Sequence, residues 1–230
     1  MDWIISIVGG LVGAVIAIAF VMLMEHLRKP RLSLEIGDTE DANWTGRPAN
    51  KARWLRVKAE NKQLPWLVKW LSRNTALHCS GLITFYYLNG QNVFGRSMQA
   101  RWVGTREPLP IQIVAQGHPT MYMFDPVRLA PDMYRDIYSG GAEQLDVAVR
   151  FDEDEKCYGW CNDNYNSNPQ WRNPDWKLNP ERYLVEVTIV FSGGRCNGLF
   201  RLINDVSVDA FGLKKATPDD YKNIFPKTPK

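Results

Sequence analysis

The densest group of residues that could do chemistry lies between positions 152 and 176, in a polar and aromatic connection without a regular hydropathy pattern. Connections of this length are uncommon in compact domains and often carry function. The candidate binding surface comprises Asp152, Asp154, Tyr158, Trp160, Asp163, Trp171 and Trp176. Such rings, beside carboxylates and amides, can stack on a sugar or grip a peptide. In the alternative interpretation the Trp rings pin the connection to a sheet, and the acids are ordinary solvated groups.

The same connection matches the spacings of known metal sites only in part. A calcium loop counted from Asp154 places Gly159 at the required turn, but Lys and Tyr side chains then occupy ligand positions. Cys157 and Cys161 have the spacing of one half of a zinc site, without a second Cys or His pair nearby. They would pair as a disulfide only in an oxidising compartment. The sequence therefore predicts no metal and no other cofactor.

Recognisable catalytic motifs are missing from the sequence. None of His26, His78 and His118 stands in a Ser, Cys or metal motif. The net charge is +3, and the last 18 residues alone carry five Lys against two Asp. No basic stripe interleaved with aromatics is visible before them. We therefore predict neither an enzyme nor a nucleic-acid-binding protein.

A second aromatic segment begins at Pro65 and combines Trp66 and Trp70 with two cations, Lys69 and Arg73. If the segment is helical, both Trp rings share one face and both cations lie on the other. Trp rings and cations are favoured in the lipid headgroup region, which predicts contact with a membrane. The alternative is an insertion folded over one open end of the domain with its Trp rings buried. The short length of the segment favours this alternative.

The first element along the chain is an apolar run, which precedes both aromatic segments. Residues 3–24 contain no charged side chain, and 22 residues of helix span about 33 Å, enough for the hydrocarbon core. Arg28, Lys29 and Arg31 follow the run, while the other flank carries only Asp2 and the amino terminus. The positive-inside tendency then places the soluble part in the cytoplasm. We predict a single-pass membrane anchor.

Two further properties of the apolar run concern its cleavage as a signal peptide and its packing against another helix. Ala17-Ile18-Ala19 resembles a signal-peptide cleavage site, but no Lys or Arg precedes the run and the run continues past it. Small residues also recur at every fourth position, as they do where two membrane helices pack closely. These residues are Gly9, Gly13 and Ala17 on one line, and Ser6, Gly10 and Ala14 on the next. Small residues are also simply common in membrane helices, so self-association is an open alternative.

After Pro30 the hydropathy period changes from helical to two, which is typical of half-buried strands. Asn89-Gly90 and residues 192–195 supply turns for two hairpins. The predicted strands are 32–36, 55–59, 82–88, 98–103, 111–115, 121–124, 145–151, 183–191 and 196–203. We expect residues 98–103 to be the return strand of the hairpin that begins with residues 82–88. Residues 82–88 themselves should be a central strand covered on both faces. Many short strands with little helix indicate a β-sandwich.

One stretch near the end of the domain supports a more specific fold. Leu178-Asn179-Pro180-Glu181-Arg182-Tyr183, followed by an alternating strand, resembles the tyrosine corner of immunoglobulin-like sandwiches. The resemblance covers about ten residues and implies that the Tyr183 hydroxyl bonds back to upstream backbone. Glu181 replaces the Gly common in that family. The family has no single function to transfer.

The sequence thus predicts a membrane anchor over residues 1–31, an immunoglobulin-like antiparallel β-sandwich over residues 32–212 and a solvated basic tail over residues 213–230. The expected function is a non-enzymatic binding or accessory subunit that holds a partner protein or ligand at the lipid bilayer. The alternative is a membrane-active effector or sensor that oligomerises through its transmembrane helix.

Overall fold

The computed structural model describes residues 2–43, 51–68, 70–104, 111–113, 121–123, 133–165, 167 and 171–224. The helices are α1 (Asp2–Arg28), α2 (Asn162–Tyr165) and α3 (Pro218–Ile224). The strands are β1 (Leu32–Ile36), β2 (Glu40–Asn43), β3 (Lys51–Asn61), β4 (Ala76–Tyr87), β5 (Met98–Gln99), β6 (Arg101–Trp102), β7 (Ile111–Ile113), β8 (Met121–Met123), β9 (Arg135–Ile137), β10 (Ala142–Phe151), β11 (Cys157–Gly159), β12 (Lys177–Leu178), β13 (Arg182–Phe191), β14 (Gly194–Ile203) and β15 (Gly212–Lys215).

Helix α1 contains the uncharged run of residues 3–24, and it ends at Arg28, just before Pro30. Proline disfavours helical backbone at the residue before it, which explains the end of the helix. Within the described part of the chain, residues 10–28 are the one helical stretch long and apolar enough to cross a membrane, and none of it is buried against the domain. The chain is therefore a mainly β protein preceded by one candidate membrane-spanning helix.

Two antiparallel sheets make up most of the remaining described residues. Sheet I has the order β1-β3-β10-β11-β12, with β2 also paired to β3 and β6 also paired to β10. Sheet II has the order β15-β14-β13-β4-β5, with β9 also paired to β4. Strands β7 and β8 pair with each other. Two long antiparallel pairs, the β13–β14 hairpin and the non-local pair of β4 with β13, hold sheet II together through continuous registers.

The core lies between the two sheets and follows the alternation of each strand. Leu55, Val57 and Ala59 of β3 point to the same cluster as Val185 and Val187 of β13, and all five side chains are buried. Removing this apolar surface from water stabilises the pairing of the sheets by about 25 cal/mol per Å². The outward residues of β3, which include Arg56 and Lys58, stay partly exposed. This leaves the outer face of sheet I available for a site.

Several predicted strands and turns are confirmed. Strand β1 covers residues 32–36, and a turn at the predicted place joins β13 to β14; it consists of Ser192 and Gly193, with Gly193 at a φ of 101°, and β14 already begins at Gly194. The Asn89-Gly90 turn follows β4, with the Gly90 amide donating to the Tyr87 carbonyl. The Tyr183 hydroxyl donates to the Asn179 carbonyl oxygen at 3.2 Å, the bond that the tyrosine-corner resemblance predicted.

Three expectations are wrong. Residues 98–103 do not form one return strand, because β5 pairs with β4 in sheet II while β6 pairs with β10 in sheet I. Strand β4 is not covered on both faces, since Leu82 is 40% exposed. The chain after Phe211 is not a solvated tail through residue 224, because β15 pairs with β14 and the buried Asp220 carboxylate contacts Arg201 at 2.5 Å.

Candidate functional site

The connection over residues 152–176 is more regular than its sequence indicates. It contains β11, which pairs with the edge of β10, and the single turn of α2. Tyr158, Trp160 and Trp176 are buried, with 7%, 4% and 3% of their surfaces exposed. The alternative interpretation, in which the Trp rings pack down instead of forming an exposed surface, is confirmed for Trp160 and Trp176, and Tyr158 is buried as well. Trp171 differs, because it is only partly buried.

The predicted acidic residues do not converge. Asp152 is exposed and accepts a hydrogen bond from the Lys51 amide at 3.2 Å. Asp154 pairs with Arg172 at 2.7 Å, and Asp163 is exposed on α2. Within the described ranges there is no group of three or more His, Cys, Asp and Glu side chains that could hold a metal ion.

All four cysteines are described, and all are free thiols. Cys157 and Cys161 are buried in the core shared by the sheets. Burial raises the pKa of the Cys157 thiol and raises that of Cys161 to about 11, so both stay protonated at neutral pH. Their position makes them small apolar core groups and not reactive ones.

Four aromatic side chains instead form a cluster on the outer face of sheet I. Trp54 comes from β3, Trp160 follows β11, Tyr165 ends α2, and Trp171 follows in the same connection. The centroid of the Trp160 ring lies 5.8 Å from that of Trp54 and 5.6 Å from that of Trp171, in edge-to-face contacts. The rings of Trp171 and Tyr165 stack at 6.3 Å. Edge-to-face and stacked rings add to the stability of burial itself.

A cavity of about 240 Å³ opens beside this cluster, and we call it the aromatic pocket. Its apolar wall is formed by Trp54, Trp160, Tyr165 and Trp171. Its charged wall is formed by Glu40, Arg56, Arg101 and Asp146. The pocket therefore offers ring faces on one side and both signs of charge on the other.

The charged wall results from strand register. Asp146 of β10 lies opposite Arg56 of β3 on one side and opposite Arg101 of β6 on the other. The Arg56 Nε donates to the Asp146 Oδ1 at 2.9 Å, and a second Arg56 nitrogen bonds Glu40. The Arg101 Nη1 donates to the Asn162 side chain at 2.7 Å. These pairs fix the charged groups at the pocket wall.

Burial raises the pKa of Asp146 to about 6, and the neighbouring guanidinium groups of Arg56 and Arg101 oppose this rise. The guanidinium carbon of Arg101 also lies 4.2 Å from the centroid of the Tyr165 ring. Such a contact between a cation and a ring face is favourable by about 0.5–2 kcal/mol, depending on exposure. Arg101 thereby connects the charged wall to the aromatic wall.

Sequence reasoning identified Trp160 and Trp171 but missed Trp54, Arg101 and Asp146. The signal available for Trp54 was its place in the outward row of β3, two residues before Arg56. No sequence pattern places Asp146 beside Arg56, which is 90 residues away.

A larger depression of about 810 Å³ lies at the turn between β4 and β5 and includes Leu88, Pro180 and Arg182. Arg182 is paired with Asp205 there at 2.8 Å, and both residues are at the surface. The aromatic pocket has convergent groups on four strands of sheet I, and such groups define a site better than exposed turn residues do. The aromatic pocket is therefore the better candidate.

The segment over residues 62–74 differs from its sequence expectation in conformation and in burial. Its described residues include one 3₁₀ turn, Trp66–Val68, and no α-helix. Trp66 and Trp70 are 80% and 73% exposed, so the interpretation in which the domain buries them is wrong. Arg73 is buried instead of facing away with Lys69, which lies outside the described residues. Membrane contact by the two rings stays a prediction.

The predicted basic flank lies at the end of α1. Lys29 and Arg31 are exposed, and Arg28 is partly buried. On the helix itself Gly10, Gly13, Ala14 and Ala17 are exposed, and a Cβ added at Gly10 or Gly13 would meet nothing within 4 Å. The surroundings of Ser6 and Gly9 lie outside the described part of the chain. Helix pairing through these residues stays a prediction.

No family model matches the chain, and neither the curated proteins nor the solved structures include a significant match. The fold and the site together define a class, a mainly β protein of two antiparallel sheets with one N-terminal apolar helix and an aromatic pocket.

Proposed function

We propose that this protein is a single-pass membrane-anchored binding subunit that holds a protein partner at the bilayer and has no catalytic activity. The observation that carries the proposal is the aromatic pocket, where four rings and four charged side chains converge on about 240 Å³. The anchor in this proposal is α1, and the basic residues Lys29 and Arg31 favour a cytoplasmic domain. The immunoglobulin-like assignment belongs to the same proposal and is supported by the hydrogen bond of Tyr183.

The size of the pocket indicates what it would bind. Pockets for drug-sized ligands measure about 300–1,000 Å³, so 240 Å³ suits a single side chain better than a whole cofactor. Hot spots of protein interfaces are such pockets, filled by one Trp, Tyr or Arg of the partner. The walls provide ring faces for an aromatic or guanidinium group and carboxylates for its donors. We propose that the pocket receives an anchor residue of this kind.

The backbone conformation of Trp171 also supports a binding site at the aromatic pocket. Its φ is 66°, a conformation that bulky side chains rarely adopt, and residues held in it cost about 1–3 kcal/mol. The backbone conformation presents the Trp171 ring to Trp54, Trp160 and Tyr165. Strain of this size persists where packing fixes it, and it is frequent at binding sites.

The pairing of the charged groups supports a binding function over catalysis. A general acid or base needs a group that can reach the substrate and exchange a proton. Asp146 and Glu40 are both engaged by Arg56, and Arg101 is engaged by Asn162. These groups orient and neutralise one another, as they would in a recognition site.

The test is affinity purification of the full chain in mild detergent, comparing the wild type with Trp171→Ala. A protein partner that uses the pocket should be retained by the wild type and lost by the variant. Tyr221→Ala is the matched control, since Tyr221 is 45% exposed on α3 and does not line the pocket. Circular dichroism checks that each variant is folded. Equal retention by Trp171→Ala and the control would refute the proposal, as would recovery of no partner with the wild type.

A further inference from the structure

The end of α1 is bound directly to the segment over residues 62–74. The Arg73 Nη1 donates to the carbonyl oxygens of Leu27 at 3.2 Å and Lys29 at 2.7 Å. The Asn74 amide donates to the carbonyl oxygen of Arg28 at 2.7 Å. The last carbonyls of a helix have no partner within the helix, and a cation near them is favoured by the helix dipole. Arg73 and Asn74 therefore cap α1 from the domain.

A buried side chain extends this junction to two further segments. Asn61 is fully buried, and its Oδ1 accepts from the Arg31 amide at 3.2 Å. Its Nδ2 donates to the carbonyl oxygens of Asn74 at 3.0 Å and Ile137 at 3.1 Å. One side chain thus holds together the chain leaving α1, the segment over residues 62–74 and the end of β9. We call this arrangement the Asn61 junction.

The most exposed large apolar side chains outside α1 belong to the segments that meet at the Asn61 junction. Among the described residues these are Trp66 at 80%, Trp70 at 73%, Tyr138 at 70% and Leu67 at 69%. Trp70 is three residues from Arg73, so their Cα atoms are at most about 11 Å apart. Tyr138 directly follows Ile137. The exposed rings therefore lie close to the point where the candidate membrane helix ends.

We infer that Trp66, Leu67, Trp70 and Tyr138 rest in the lipid headgroup region of the bilayer that α1 crosses. Trp and Tyr are enriched at that depth because their rings are apolar and carry one polar group. The patch lies on segments that are hydrogen-bonded to the end of the membrane helix and to the residues just after it, and the exposed cations Lys29, Arg31 and Lys62 match anionic headgroups. The domain is then fixed against the membrane by its junction and does not swing on a tether.

This inference rests on the membrane anchor of the proposed function and is independent of the aromatic pocket. It is tested with the full chain reconstituted in vesicles of phosphatidylcholine and phosphatidylglycerol. Cys196→Ser removes the half-buried thiol, and the other three thiols are buried, so an introduced cysteine is the site that reacts with a fluorescent label. Leu67→Cys and, separately, Tyr138→Cys report on the patch.

Leu88→Cys is the matched control. Leu88 is exposed just after the far end of β4, and the 12-residue strand puts it about 35–40 Å from Ala76, next to the junction. Lipids with a nitroxide near the headgroup should quench most of the emission of the labels at 67 and 138 and leave the label at 88 unchanged. Aqueous iodide should show the opposite order.

The inference is overturned if the label at 67 or 138 is not quenched by the nitroxide lipids. A label that is protected from iodide but not quenched by these lipids also overturns it, because another protein or a second copy of the chain would then cover the patch. Equal quenching at 67 and 88 also overturns it. Failure of the anchor is recognised separately, because the chain would then stay in solution without detergent or vesicles. Loss of the protein partner from Trp171→Ala is unaffected by either result.

Discussion

Replacing Asn61 with Ala should destabilise the domain more than any exposed Asn substitution. The side chain is fully buried and makes three hydrogen bonds, to the Arg31 amide and to the carbonyl oxygens of Asn74 and Ile137. Ala supplies neither the acceptor nor the donors. The backbone groups left behind are partly or fully buried and lose their partners.

The expected cost follows from these three bonds. A hydrogen bond contributes about 1 kcal/mol net, and a buried group left unpaired costs about 1–3 kcal/mol. We therefore expect Asn61→Ala to lower the free energy of unfolding by at least about 3 kcal/mol. For a domain of this size, 1 kcal/mol shifts the melting temperature by about 2–4 °C, so the expected fall is about 6–12 °C.

The assay is thermal unfolding of the full chain in detergent, followed by circular dichroism. Asn197→Ala is the control, since Asn197 is exposed and makes one side-chain bond, to Glu186 at 3.2 Å. Exposed substitutions of this kind change stability by about 0.5 kcal/mol or less. If both variants melt within about 2 °C of the wild type, the Asn61 junction does not carry the stability that its contacts imply.

Three further predictions concern other parts of the domain. Tyr183→Phe removes the donor to the Asn179 carbonyl and should lower the free energy of unfolding by about 1 kcal/mol, and an unchanged melting temperature would contradict this. Burial raises the pKa of Asp146 from its ordinary value of 3.8 to about 6, so the folded state holds this proton more tightly than the unfolded state. The stabilising contribution of the protonated carboxyl is then fully present below about pH 4 and lost as the pH rises through about 6. Relative to Asp146→Asn, the wild type should lose about 2 kcal/mol of unfolding free energy between about pH 4 and 7 in guanidinium titrations, and parallel pH profiles would refute this. Finally, burial raises the pKa values of the Cys79 and Cys161 thiols to about 11. A chromogenic disulfide at about pH 8 should react with no more than one thiol, Cys196, in the native chain and with all four after unfolding, whereas early reaction of two or more would be inconsistent with the buried positions.

Local rules predicted the elements whose sequence signal lies within one short segment. The uncharged run predicts α1, because backbone amides in an apolar medium must pair within their own segment. The alternation over residues 183–191 and the two glycines after it predict the β13–β14 hairpin with its observed turn. The Tyr183 bond was also predictable, because donor and acceptor are four residues apart.

Local rules failed where a segment could take more than one set of neighbours. The outward row of β3 reads as an ordinary solvated face, and only pairing with β10 brings Asp146 to Arg56. The chain after Phe211 reads as a polar terminus, but β14 offers an open edge that β15 fills. The Lys-rich composition of the chain after Phe211 does not indicate that it pairs with that edge.

The sequence by itself determined that this chain has a candidate membrane helix, a β domain and two Trp-rich segments. The tertiary structure decided what those Trp residues do. It buries Trp160 and Trp176 and leaves Trp66 and Trp70 exposed beside the end of α1. The physical reason is that a ring is buried or exposed according to which surface lies opposite it. That surface is set by hydrogen bonds such as those of Asn61 and Arg73, whose partners are 13 to 76 residues away.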